Sequence, residues 1–117
     1  MTAMLAFEAG VAVEGIRAEA VVGLLVAGQA FAAEGVDCVV TSATDGGHKV
    51  DSLHYRGLAF DLRTHHVHPD VKPRLLTRLR DALAPLGFEV LFESAGQPGE
   101  HAHVEFDPRR ENRPGAA

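Results

Sequence analysis

Residues 51–64 read DSLHYRGLAFDLRT. A histidine, a glycine and an aspartate interrupt a run that is otherwise apolar, and their spacing fixes how the segment folds. From Leu58 to Arg63 the chain alternates, with Leu58 and Phe60 on one face and Ala59 and Asp61 on the other. That period of two marks a half-buried strand. Ser52 to Gly57 lacks the alternation and reads as a short turn or helical loop that feeds the strand. The bulky residues define the core side, so Asp61 points away from it.

The neighbouring segments follow the same logic. Ile16, Ala20, Leu24, Ala27 and Phe31 recur at helical spacing within residues 15–34, and Gly35 is a stop signal. VDCVVT (residues 36–41) is short, β-branched and apolar, a buried strand, and SATDGGHKVD after it is turn-like. THHVHPD is a loop whose Asp70 is placed to cap a second helix. That helix has apolar positions Val71, Leu75, Leu76, Leu79, Ala82, Leu83 and Leu86, with Lys72, Arg74, Arg78 and Arg80 on the other side. Arg74, Arg78 and Arg80 read as a solvated face, Pro73 fits the first turn and Gly87 ends the helix. Residues 88–93 and 101–106 read as two strands joined by SAGQPGE, an antiparallel hairpin. In the second of these, His101, His103 and Glu105 share one face and Ala102, Val104 and Phe106 the other.

The order is helix, strand, strand, helix, strand, strand. It predicts a small α+β domain over residues 1–107, with a mostly antiparallel sheet and its helices packed on one face, and a flexible tail over 108–117. The 117 residues are 46% hydrophobic, enough for one core without staples. Eleven Lys+Arg against sixteen Asp+Glu give a net charge of −5, which argues against a nucleic-acid partner. The one cysteine, Cys38, excludes an internal disulfide and reads as a small core residue. The first fifteen residues lack the positive start of a secretory signal, and the apolar window 18–33 is too short and too rich in small residues to enter a membrane. The expectation is a chain made in the cytoplasm.

The seven histidines fall in three groups. If the strands at 58–63 and 101–106 are neighbours, Asp61 and either His101 or His103 face one cleft, and His54 closes over it from the turn. Two histidines and a carboxylate are a catalytic zinc set, since structural zinc favours cysteines and four protein ligands. Glu100, at the end of the Gly/Pro turn, is the nearby group able to act as a base. His65, His66 and His68 precede Pro69 in a loop and read as solvated histidines.

Ser52-Leu53-His54-Tyr55-Arg56-Gly57-Leu58-Ala59-Phe60-Asp61 matches the pattern S-x-H-x-x-G-x-A-x-D, and Glu100-His101-Ala102-His103 matches E-x-x-H. Together they resemble the zinc D-alanyl-D-alanine carboxypeptidase and L-alanyl-D-glutamate endopeptidase family, most of all its small phage or prophage members, over residues 38–107. The resemblance implies the Hedgehog/DD-peptidase fold, one Zn2+ per chain, and hydrolysis of the peptide part of bacterial peptidoglycan, with the stem peptide as partner and the cell wall as the place of action after phage-assisted release. It implies that His54, Asp61 and His103 are the zinc ligands and Glu100 the general base. Ser52 would support the first ligand, Gly57 would permit a tight turn, and Ala59 would keep the metal face uncrowded. Family members often carry an arginine just after the first core strand. Here that segment is SATDGGH, which leaves His48 or Arg56 to take its place and His101 to line the cleft. The rival expectation is a zinc-binding or virion structural module on the same fold, without turnover.

Overall fold

The strand read from residues 58–63 lies at the centre of a five-stranded mixed sheet. The computed structural model describes residues 3–45, 52–54 and 56–107. The elements run β1 (Leu5–Phe7), α1 (Ala18–Ala33), β2 (Cys38–Ser42), β3 (Ala59–Arg63), α2 (Lys72–Leu83) with a 3-10 turn at Ala84–Leu86, β4 (Phe88–Glu93) and β5 (His101–Phe106). The sheet order is β1-β2-β3-β5-β4. Three of its four pairings are antiparallel, and β1 runs parallel to β2. The α+β class therefore holds, with a mixed sheet. The expectations on His48 and on residues 108–117 lie outside the described residues.

One strand, β1, is additional to the four expected. Three residues are too short for any periodicity to show, and β1 is defined by its pairing with β2. Leu5 stands opposite Cys38 and Phe7 opposite Val40. Its ends are tied by Cys38 N–H donating to the Met4 carbonyl (2.8 Å) and Glu8 N–H to the Val40 carbonyl (2.9 Å).

The two helices pack against each other and cover the sheet face formed by Cys38, Val40, Phe60, Leu62, Val90, Val104 and Phe106, all buried. Gly23 allows the close approach of α1, because a Cβ there would meet the Phe88 ring at 2.7 Å. The opposite face carries Asp61, Arg63, His101, His103 and Glu105. On α2, the basic face is less free than its period suggests. Arg74 and Arg78 both grip Glu34 at the end of α1, and Lys72 is drawn to Glu100. Asp70 does not cap α2; the helix begins after Val71 without a side-chain cap. Among the described residues, no helix is long and apolar enough to cross a membrane.

The turn that carries His54 is locked into this frame at Gly57. Leu53 and Leu58 are buried on either side of it, and Leu58 N–H donates to the Leu53 carbonyl (2.9 Å). Gly57 has φ 70°, its carbonyl accepts Arg17 N–H (2.8 Å), and a Cβ there would collide with the Gly15 carbonyl. Gly57→Ala should therefore cost about 2–4 kcal/mol, the left-handed backbone penalty plus overpacking. Gly96, also at positive φ but in open space, isolates the first contribution: Gly96→Ala should cost about 1–2 kcal/mol. Urea denaturation of both variants checks this, and equal losses would remove the Gly15 contact from the account.

Candidate metal centre

Asp61 and His103 are brought together by strand register. β3 and β5 are antiparallel neighbours with Asp61 directly opposite His103, and both side chains leave the sheet on the face away from the helices. Such directly opposed pairs stand ~4.5–5.5 Å apart at Cβ, within reach of a shared ligand or proton. His54 enters from the turn before β3. Its N–H donates to the Ser52 hydroxyl (3.1 Å), so Ser52 shapes the turn beside the histidine.

The three side chains converge at their polar atoms. His103 Nδ1 lies 2.8 Å from Asp61 Oδ1, His54 Nε2 lies 3.3 Å from the same oxygen, and the two histidine nitrogens are 3.2 Å apart. Among the described residues this is the one group of three or more His, Cys, Asp or Glu side chains placed to hold a metal ion. Tetrahedral zinc with bonds near 2.0–2.1 Å separates its ligand atoms by about 3.3–3.4 Å, so the triangle has nearly the right edges, slightly tight on one side.

The other nitrogen of each ring is already occupied. His54 Nδ1 is 2.6 Å from the Ala43 carbonyl, and because a carbonyl only accepts, Nδ1 carries the proton. His103 Nε2 is 2.8 Å from Glu105 Oε1, which likewise makes it the donor. Both rings are thereby oriented with the remaining nitrogen facing Asp61, the arrangement by which acceptors behind a histidine prepare it as a ligand. A carboxylate and two ring nitrogens facing one another require something positive between them, a proton or a metal ion. Burial disfavours charge on His103 and Asp61, but their hydrogen bonds outweigh it. Asp61 and Glu105 raise His103 to about 9, and His103 and His54 hold Asp61 well below the usual carboxylate range.

Asp61 also forms part of the wall of a cleft of about 220 Å3, together with Thr41, Arg63, Glu100 and His101. His101 Nε2 is 3.9 Å from Asp61 Oδ1 and 2.9 Å from Glu93 Oε1, and Nδ1 donates to the Gly99 carbonyl (2.8 Å). Burial alone would lower its pKa; the Gly99 carbonyl and the nearby Asp61 and Glu93 carboxylates raise it. Glu100 is buried in this wall but outside the triad. Its Oε2 accepts from the Thr64 hydroxyl (2.6 Å) and Lys72 Nζ (2.8 Å), and its Oε1 from Gly96 N–H (3.0 Å). Desolvation would raise its pKa, yet Lys72, Thr64 and Gly96 together bring it down to about 2.

Arg63, which carries no motif in the sequence, is also a cleft residue. It stands two positions from Asp61 on the same strand, so alternation alone places it on that face. Its guanidinium is ion-paired with Glu8, and its buried Nε has no hydrogen-bond partner among the described residues. Arg56, by contrast, is exposed and lines no part of this cleft. His66 donates to the Asp37 carbonyl (2.8 Å) beside buried Val67, so its loop is anchored to the core, and His65, His66 and His68 are all exposed.

Compared with protein-family models, with curated proteins and with solved structures, the chain matches none.

The clamp on Glu100 has a pH signature. Its folded pKa is depressed from 4.5 to about 2, so its stabilising contribution is complete above about pH 4.5 and is lost as pH falls towards 2. Denaturant titrations should show Glu100→Gln less stable than wild type at pH 7, with the gap narrowing steadily below pH ~4.5. A gap that stays constant to pH 3 would mean that the carboxylate charge is not what Lys72 and Thr64 hold.

Proposed function

We propose that this chain is a zinc-dependent metallopeptidase that hydrolyses peptide bonds of bacterial cell-wall peptidoglycan, on the Hedgehog/DD-peptidase fold, with His54, Asp61 and His103 holding one zinc ion. The observation that carries this reading is the convergence of those three side chains with the outer nitrogen of each histidine already bonded to Ala43 or Glu105. The two matched patterns, S-x-H-x-x-G-x-A-x-D and E-x-x-H, supply the substrate class through their resemblance to the D-alanyl-D-alanine carboxypeptidase and L-alanyl-D-glutamate endopeptidase family.

When bound, zinc lowers the pKa of a coordinated water towards neutrality and polarises a carbonyl. The protein groups do the rest. Glu105 and the Ala43 carbonyl fix the orientation of the two histidines. Glu100, ionised at neutral pH, takes a proton from the attacking water and passes it to the leaving amine. To do so it exchanges part of its Lys72 and Thr64 bonding for the water. His101, held by Gly99 and facing Asp61, presents its ring to the substrate from the cleft wall.

The grip of Lys72 and Thr64 on Glu100 favours a second reading, a zinc-binding or virion structural module without turnover. A carboxylate with a pKa of about 2 is a weak base, and a module that only binds needs none.

Elemental analysis of the purified protein should find about one zinc per chain, lost in His54→Ala and His103→Ala. Glu100→Gln should retain the zinc and stop the release of fragments from purified peptidoglycan. Wild-type protein that carries zinc but releases nothing would establish the second reading. Wild-type protein without zinc, indifferent to His54→Ala, would end the metal assignment altogether.

A further inference from the structure

The hydrogen bond behind His54 leads away from the triad into a part of the chain that neither matched pattern includes. His54 is buried, and its Nδ1–H rests on the Ala43 carbonyl at 2.6 Å. Ala43 lies just past the end of β2, beyond Ser42, the last residue paired with β3, so the ladder does not hold its backbone direction. Something else must aim that carbonyl.

Four hydrogen bonds do so. The peptide unit that carries the Ala43 carbonyl also carries Thr44 N–H, which donates to the Ala12 carbonyl (2.9 Å). The two groups of a trans peptide point in opposite directions, so fixing the N–H on Ala12 turns the carbonyl towards His54. The Thr44 hydroxyl donates to the same Ala12 carbonyl (3.0 Å). Asp45 closes the frame, its Oδ1 accepting from Ala43 N–H (3.0 Å) and from Ala12 N–H (3.1 Å). Both polar groups of Ala12 and both of Ala43 are thus committed, and one carboxylate oxygen joins the two loops.

We infer that Asp45 is a positioning residue for the metal centre: it clamps the Ala12 and Ala43 backbones so that the Ala43 carbonyl sets the tautomer and direction of His54. The inference rests on the zinc reading above and extends it to a residue that touches no ligand atom. Partners behind metal-ligating histidines typically contribute ~10–100-fold in metal affinity, and Asp45 acts one bond further out through a single rigid peptide. Its effect is geometric, since the carboxylate serves as a two-way acceptor. An amide oxygen at the same position accepts the same two N–H groups.

The experiment measures zinc affinity by chelator competition and the visible absorption bands of the cobalt-substituted protein, which report ligand geometry independently of turnover. Asp45→Ala should weaken zinc binding ~10-fold or more and alter the cobalt bands, as loss of an outer partner does. Asp45→Asn should restore both, and Asp45→Ser, whose shorter side chain reaches one N–H, should fall between them. If Asp45→Ala does not fold, as judged by circular dichroism, the contrast between Asp45→Asn and Asp45→Ser decides. Wild-type affinity in Asp45→Ala, or in Asp45→Ser if that contrast decides, overturns the inference. So does an Asp45→Asn variant as weak as Asp45→Ala or Asp45→Ser, which would mean that the charge matters and the clamp does not. Wild-type protein that binds neither zinc nor cobalt sinks the metal reading and this inference together, an outcome distinct from tight wild-type binding that Asp45→Ala leaves intact.

Discussion

The meeting of Asp61 and His103 across the β3–β5 ladder creates a demand that the surrounding residues answer. A buried carboxylate costs free energy unless it is paired, and a histidine facing it must donate a proton or a metal bond. The ladder register makes the encounter unavoidable, because Asp61 and His103 are direct partners on the face away from the helices. His54 completes the enclosure, and Glu105 and the Ala43 carbonyl orient the rings from behind. Gly57 matters for the same reason: its left-handed backbone and contact with Gly15 let the turn deliver His54 over the strand.

A similar demand is met separately at Glu100. Three donors surround it, and Lys72 reaches it from the first turn of α2 while Thr64 reaches it from the end of β3. This cluster joins the helical layer to the β4–β5 turn. It ties down the cleft wall and holds the Glu100 carboxylate in its ionised form.

The parts legible in the sequence were those where one residue type repeats at a fixed interval. Strands β4 and β5 and the hairpin between them follow from alternation, as does the face shared by His101, His103 and Glu105. The proximity of His54, Asp61 and His103 was legible only by combining two patterns about forty residues apart. What stayed hidden depends on backbone groups and on tertiary neighbours. β1 exists through its bonds to β2 and has no period of its own. The basic residues of α2 were placed on the correct side, but helical spacing does not reveal that Glu34 and Glu100 wait there. The frame built by Ala12, Ala43, Thr44 and Asp45 consists largely of main-chain donors and acceptors, which any sequence carries. Arg63 was accessible to the same alternation that exposed Asp61.

The parallel pairing of β1 with β2, and the Ala12 contacts that follow it, bear on the order of assembly during synthesis. The N-terminal segment has its partners by the time residues 38–45 are made, so the pocket behind His54 is able to form early. The acceptors it prepares must then wait through α2 and β4 for β5 to supply His103. Until that strand docks on β3, Asp61 has no opposite histidine and the central strand has an open edge, a surface prone to pairing with another chain. β5 therefore both fills the place between β3 and β4 and brings His103 to the triad. A nascent chain that stalls before residue 101 presents an aggregation-prone edge and lacks the histidine that stands opposite Asp61.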